Sequence, residues 1–368
     1  MADYKMAGVP TGAEALVLAE MLAGKLALTP KTIIHIATSD RSLDMLADAL
    51  AFFAPDVEIL RFPAWDAMPY DRASPLPAIM AERVRTLAAL TQPKARIVLT
   101  TASAIVQKLP PRAVMQKVIF SLTPGASIQR DALVHYLQGQ GYRRNGKAME
   151  PGEFALRGSI IDIVPAGASM GIRIDLFGDD IETMRSYDPL TQISQGALDK
   201  FILYPMSEVL LNETTIEHFR EQYRELFGAV SKDDPLYESI SLGTHYPGME
   251  HWLPLFYEHV ETLFDYVPDA LVTLDYDSET AINERHESIL DYYEARLTAI
   301  KNRSAKNSFG SGGIYNPVPP ERAFLTADAW KAALAARDHA RFSPFLSSPS
   351  PLEGEGGVGG TSNITNAD

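Results

Sequence analysis

Met149-Glu-Pro-Gly-Glu-Phe-Ala-Leu-Arg-Gly-Ser-Ile-Ile-Asp-Ile-Val-Pro165, Ala166-Gly-Ala-Ser-Met-Gly171 and Ile172-Arg-Ile-Asp-Leu-Phe-Gly-Asp-Asp-Ile-Glu-Thr-Met-Arg-Ser-Tyr-Asp-Pro189 read as short strands separated by glycine turns. Residues 159–164 are rich in β-branched side chains and are bounded by Gly158 and Pro165. The small residues of 166–171 form a loop that returns the chain into a strand over 172–177. Successive strand side chains point to opposite faces, so Ile172, Ile174 and Leu176 make a core face. Arg173, Asp175 and Phe177 then stand in a row on the open face of a small antiparallel sheet, and Gly178-Asp179-Asp180 turns into a third strand over 181–187. A phenyl ring beside a guanidinium has the composition of a protein-binding patch. A plainer reading fits the same residues: Arg173 and Asp175 ladder with neighbours across the strands, and Phe177 is covered by a later segment.

A chain of 368 residues is too long for one ordinary core, which predicts two or three domains plus a tail. No apolar run reaches the roughly 18 residues needed to cross a bilayer, and Met-Ala-Asp-Tyr-Lys lacks a basic region followed by a hydrophobic one. A soluble, cytoplasmic chain is expected, with no membrane partner. Without cysteine there are no disulfides and no thiolate metal sites. Its 33 basic and 47 acidic residues, net charge -14, give the wrong sign for gripping nucleic acid with the whole surface. Contact with DNA must be local or come from a partner, which suits an adaptor.

Residues 1–116 read as an α/β unit. Gly8-Val-Pro-Thr-Gly-Ala-Glu-Ala15 opens a helix running to about Lys25, strands follow at 32–38, 57–62 and 96–101, and helices begin at Ser39, Met80 and Ser103. Such alternation predicts a parallel sheet of the kind that carries nucleotides in P-loop proteins. The P-loop pattern G-x-x-x-x-G-K-[ST] needs a lysine for the phosphates and a hydroxyl for magnesium. Aligned on Gly8, with Gly12 inside the loop, this chain has Ala13, Glu14 and Ala15 at the last three places. The site is degenerate. A glutamate repels polyphosphate and an alanine holds no metal, so no ATP hydrolysis is expected; reading the stretch as a mere helix start predicts none either.

Residues 117–205 form the small β-rich domain, entered through 121–128 and a helix over 131–139, with a basic turn at Tyr142-Arg-Arg-Asn-Gly-Lys147. Residues 206–341 read as a helical and α/β return: a helix over 214–227, a packed aromatic turn at 246–256, an extended segment at 266–277, and a long helix over 278–300. His245, His251 and His286 lack metal-ligand spacing. Residues 342–368 are rich in Pro, Ser and Gly and are expected to be a disordered tail.

Glu153-Phe-Ala-Leu-Arg-Gly-Ser-Ile-Ile-Asp-Ile-Val-Pro165, Ile172-Arg-Ile-Asp-Leu-Phe-Gly-Asp-Asp-Ile-Glu182 and Asp188-Pro-Leu-Thr191 together resemble the small second domain shared by UvrB and the transcription-repair coupling factors. Trp65-Asp-Ala-Met-Pro-Tyr-Asp71 resembles the segment that leads into the aromatic hairpin of UvrB, but here the chain passes to Ser74-Pro-Leu-Pro77 with no aromatic insertion, as in the coupling factors. The resemblance spans about residues 5 to 340. It implies a degenerate P-loop, UvrB-like α/β domain, completed by the return segment, with the small antiparallel domain inserted. It also implies docking of UvrA through Arg157, Arg173, Asp175 and Phe177, where Asp175 replaces the glutamate usual in UvrB. The expected function is a non-catalytic adaptor for transcription-coupled nucleotide excision repair, without cofactor or metal. RNA polymerase, double-stranded DNA, ATP and Mg²⁺ belong to regions of the relatives that are absent here, as does the domain that covers their docking face. Two alternatives are an ATP-dependent helicase or translocase fragment, opposed by Glu14, and a Mg²⁺ nuclease built on Asp162, Asp175, Asp179, Asp180 and Glu182.

Overall fold

Residues 32–37 and 96–101 are buried at every position, as strands covered by helices on both faces must be. The computed structural model describes residues 2–26, 30–117, 119–165, 167–230, 234–306, 315–346 and 364–366. Its first segment contributes β1 (Asp3–Ala7), α1 (Glu14–Leu22), β2 (Thr32–Ala37), α2 (Asp40–Phe53), β3 (Glu58–Phe62), α3 (Pro77–Leu90), β4 (Arg96–Thr101), α4 (Ala102–Ile105) and α5 (Arg112–Lys117). Ser39 caps α2 by accepting from the Ser42 amide at 3.3 Å, and a proline opens α3, where a missing N–H costs nothing.

The helix expected from Gly8 starts six residues later. Gly8 and Gly12 have φ of 73° and 98°, which a right-handed helix excludes, so residues 8–13 are a loop between β1 and α1. Strand β1 itself was not expected; within it only Met6 is buried, and the alternation is too weak to show.

The second segment is the small domain: β5 (Phe120–Leu122), α6 (Arg130–Gly139), β6 (Arg143–Arg144), β7 (Glu153–Arg157), β8 (Ile160–Val164), β9 (Gly171–Phe177), β10 (Asp180–Tyr187), β11 (Ser194–Ala197) and β12 (Phe201–Leu203). Six of these strands form a sheet in the order β11-β10-β9-β8-β7-β6, antiparallel except for the parallel β6–β7 pair, while β5 and β12 pair separately. One face packs on α6, so that Leu133 and Leu137 meet Phe154, Ile161, Ile163, Ile172 and Ile174. Each such aliphatic stabilises the domain by roughly 1.5–3 kcal/mol.

The return segment adds α7 (Glu213–Phe227), α8 (Pro235–Ser241), a 3₁₀ turn (Met249–Leu255), α9 (Leu263–Tyr266), β13 (Leu271–Leu274), α10 (Ser278–Lys306), α11 (Pro320–Ala323), α12 (Ala327–Ala335), β14 (His339–Ser343) and β15 (Ile364–Asn366). Strands β13 and β14 slot between β2 and β1, giving the order β15-β1-β14-β13-β2-β4-β3. Six of the seven are parallel; β15 runs antiparallel along β1. The expectation of an unstructured chain from residue 342 is therefore corrected at two places: β14 runs to Ser343, and residues 364–366 pair with β1. The rest of the expected tail, 347–363 and 367–368, lies outside the described residues. No helix among the described residues is long and apolar enough to cross a membrane.

Besides the strand pairing, two side-chain clusters tie the first segment to the last. The Arg83 guanidinium on α3 forms an ion pair with Glu208, both fully buried, donates to the Pro63 carbonyl at 2.7 Å, and lies over the Phe62 ring at 4.0 Å and the Trp65 ring at 5.5 Å. Tyr70 packs on Tyr293 and Phe324, and its carbonyl accepts from Arg296 at 2.8 Å. The aromatic residues of the 65–71 stretch that lack a hairpin thus serve packing.

Removing one partner of a buried ion pair strands the other charge, so Arg83→Ala should lower stability in urea unfolding by about 3–5 kcal/mol; a loss below about 1 kcal/mol would contradict the role given to this pair. His251 is buried and His245 half-buried, and desolvation pushes each pKa down to about 4. The unfolded chain binds protons at these two side chains below about pH 6.5 while the folded chain refuses them until near pH 4, so stability should fall as pH falls from 7 to 5. Urea midpoints that rise over that interval would refute this.

Candidate functional site

Asp162 sits in the middle of β8 with its side chain 1% exposed, on the face of the sheet away from α6. An ionised carboxylate in that position must be matched by cations and donors. Its cross-strand neighbour on β9 is Arg173, whose Nε and Nη2 donate to the two carboxylate oxygens at 2.7 and 3.1 Å. Arg157, from the end of β7, donates a third bond at 2.6 Å. These hydrogen bonds hold the Arg173 guanidinium above its ordinary pKa. The same guanidinium donates to Gln192 O and Ser194 Oγ at 3.2 and 2.9 Å and lies over the Tyr187 ring at 4.9 Å.

The expected row is therefore present but uneven. Phe177, at the end of β9, is 78% exposed, and no later described segment covers it. The Arg157 side chain is 43% exposed. Asp175 is half-buried and accepts from Ser159 Oγ at 2.9 Å. Arg173 retains 19% exposure, and its donors are committed inside the domain. The laddered reading thus holds for Arg173, while the exposed-patch reading holds for Phe177 and Arg157. Ile160 joins them on the open face, since Ile161 and Ile163 face the core and Ile160 pairs with Asp175.

The loop between β10 and β11 lies against this face. Gln192 adopts φ 61°, accepts from Arg157 at 2.8 Å, and donates to the carbonyls of Ala148 and Pro189 at 3.2 and 2.6 Å. Asp188 accepts from the amides of Leu190 and Thr191 at 2.8 and 3.2 Å. Leu190 and Ile193 project outward, 79% and 64% exposed. Sequence reading used residues 188–191 only as part of the resemblance and missed both the loop's contacts with the arginines and the role of Asp162; the available signal for the latter was a lone acid in an isoleucine run.

The carboxylates of the nuclease alternative are not gathered. Asp162 is taken by two arginines and Asp175 by Ser159, while the backbone of the Asp179-Asp180 turn is bound to residues 125–128. Among the described residues no group of three or more His, Cys, Asp or Glu has metal-holding geometry.

The stretch of residues 8–15, expected from sequence to be a degenerate nucleotide site, lies at the carboxyl end of the parallel sheet, the edge where ligands bind in such folds. Its amides are already engaged: Gly8 N donates to Phe345 O at 3.2 Å, Val9 N to Ser343 O at 2.9 Å, and Gly12 N to the Glu14 carboxylate at 2.6 Å. The adjoining cavity of about 560 Å³ is lined by Glu14, Asp275 and Asp277 with Thr38, Ser42 and Phe345. Three carboxylates and occupied amides are a poor cradle for a polyphosphate, and Ala15, fully buried, offers no metal ligand.

A small sheet with one face on a helix and an arginine-and-phenylalanine open face defines the inserted domain as a class: residues 120–209 match the family model described as UvrB interaction domain. Over a longer span the chain is similar to transcription-repair-coupling factors. That of Rickettsia prowazekii is 35% identical over 298 residues, covering 81% of this chain and 26% of the relative. That of Rickettsia bellii is 34% identical over 296 residues, covering 80% and 26%, and that of Escherichia coli K12 is 29% identical over 296 residues, covering 80% and 25%. The resemblance read from residues 149–189 is thereby shown, and the chain spans about a quarter of the length of these relatives.

With Asp162 removed, two guanidiniums lose their shared counter-charge in a half-buried setting. Asp162→Ala should therefore cost about 3 kcal/mol of stability, measured by chemical denaturation; a variant as stable as the parent would show that the pair is not what orders this face.

Proposed function

We propose that this chain acts as the UvrA-docking module of a transcription-repair coupling factor, through the open face of β7–β9, and carries out no chemistry of its own. The observation that carries the reading is Phe177, a large ring held 78% exposed on the same small sheet as the ordered Arg157, in a domain of the UvrB interaction family. Exposed aromatics next to fixed arginines are the anchors around which docking surfaces concentrate their free energy. Asp175, its carboxylate oriented by Ser159, is placed to meet a donor on the partner.

The absence of catalysis is supported by the engaged loop amides and by Glu14 at the place of the phosphate lysine. Neither ATP nor Mg²⁺ is a cofactor of this chain in this reading. RNA polymerase, double-stranded DNA and an ATP-driven motor enter through other regions of a coupling factor. The acidic balance of the chain agrees, since net charge -14 disfavours broad contact with DNA. A cytoplasmic location goes with such partners.

Phe177→Ala should weaken UvrA binding by about 2 kcal/mol, near thirtyfold, in isothermal titration, with the unfolding midpoint unchanged; binding equal to that of the parent overturns the docking reading. Titration with a fluorescent ATP analogue and Mg²⁺ should give no saturable signal and no phosphate release, and saturable binding would overturn the non-catalytic part of the proposal.

A further inference from the structure

The docking reading accounts for Arg157, Arg173, Asp175 and Phe177 but leaves the Asp188–Ile193 turn unexplained. This turn is more ordered than a connection between two antiparallel strands requires. Asp188 accepts from two amides and its own N–H donates to Ile193 O at 3.0 Å, while Gln192 N donates back to Asp188 O at 2.7 Å. Gln192 holds a positive φ of 61°, a region unfavourable for a side chain with a Cβ, and persists there because its amide group is bound on three sides. One of those partners is Arg157, and the Gln192 carbonyl accepts from Arg173. The turn is thus fastened to the two arginines of the docking face.

What this order achieves is to hold two large aliphatic side chains in water. Leu190 and Ile193 flank Thr191 and Gln192 at 79% and 64% exposure, and Met149, next to the Ala148 carbonyl that Gln192 binds, adds a third apolar side chain at 44%. Exposed apolar side chains fixed in advance lose little conformational entropy on binding, the property that separates an anchor from ordinary surface. Arg185, exposed and opposite Arg173 in the strand register, adds positive charge to the same face in a chain that is otherwise acidic.

We infer that Leu190 and Ile193 form a second apolar anchor of the docking face, so that the partner is gripped at two places with the guanidiniums between them. The occupant is the same UvrA surface, which must then present two apolar sockets separated by carboxylate. The inference rests on the docking reading and adds to it. A single loop fixes both the second anchor and the arginines, so the two grips share one rigid support.

The test compares three forms of the full chain by isothermal titration with UvrA: the parent, Phe177→Ala, and Leu190→Ser with Ile193→Ser. Both replaced residues of the double variant are exposed, so its thermal midpoint should match that of the parent. The expected result is binding weakened at least tenfold in the double variant and in Phe177→Ala alike. If Phe177→Ala weakens binding and the double variant binds as the parent does, the second anchor is overturned and the docking reading stands. If neither variant weakens binding, or the parent does not bind UvrA, both are overturned. Gln192→Ala gives an independent check, because it leaves the apolar side chains in place and unfastens them: faster amide exchange at residues 190–193 with a severalfold loss of affinity supports the inference, and faster exchange with unchanged affinity contradicts it.

Discussion

A buried carboxylate shared by two arginines is the interaction on which the small domain's outer face depends. Asp162 lies where a β-sandwich or a helix-covered sheet would place an aliphatic, and its charge is tolerable there because Arg173 and Arg157 supply three hydrogen bonds to it. Arg173 in turn fixes the β10–β11 loop through Gln192 and Ser194 and covers Tyr187, whose hydroxyl donates to Ala148 at 2.9 Å. One charge thereby sets the position of two cations, one loop and one ring. Such a network yields a rigid surface from polar groups, on the face of the sheet away from α6.

The larger domain shows the opposite situation, a loop after β1 whose polar groups are met within the chain itself. The parallel sheet, the loop after β1 and the helix that follows are all in the places where a phosphate is bound in P-loop proteins. Three amides of that loop are engaged internally: that of Gly12 by Glu14, that of Val9 by Ser343 at the end of β14, and that of Gly8 by Phe345. The carboxylates of Asp275 and Asp277 at the cavity deepen the negative potential. The sheet is held by its own core, in which β2 and β4 are buried at every position.

Much of this was legible in the chain. The strands of the small domain follow from period-two alternation bounded by Gly158, Pro165 and Gly178, and the central strands β2 and β4 follow from short runs rich in β-branched residues, Thr-Ile-Ile-His-Ile-Ala and Arg-Ile-Val-Leu-Thr-Thr. The exposure of Phe177 follows from the same alternation. Strand β1 did not show because four of its five side chains are not buried, so no hydrophobic period is imprinted on Asp3–Ala7. The partnership of Asp162 was hidden by register. With the loop bounded by Val164 and Gly171, Asp162 falls opposite Arg173; had Pro165 paired with Ile172 instead, it would fall opposite Asp175. A shift of one residue at each end of a turn decides between an ion pair and a repulsion, and turn boundaries are what sequence reads least well. The fastening of Gln192 is a long-range contact for which sequence offers no period at all.

The account stands or falls on whether the open face of β7–β9 meets UvrA. The most direct measurement places a photo-crosslinking phenylalanine analogue at position 177 and, as a control, at the similarly exposed position 242, at the C-terminal end of α8 in the return segment. Crosslinks to UvrA from position 177 and none from 242 are the predicted result. Crosslinks absent from 177 in a mixture where the two proteins associate would contradict the account.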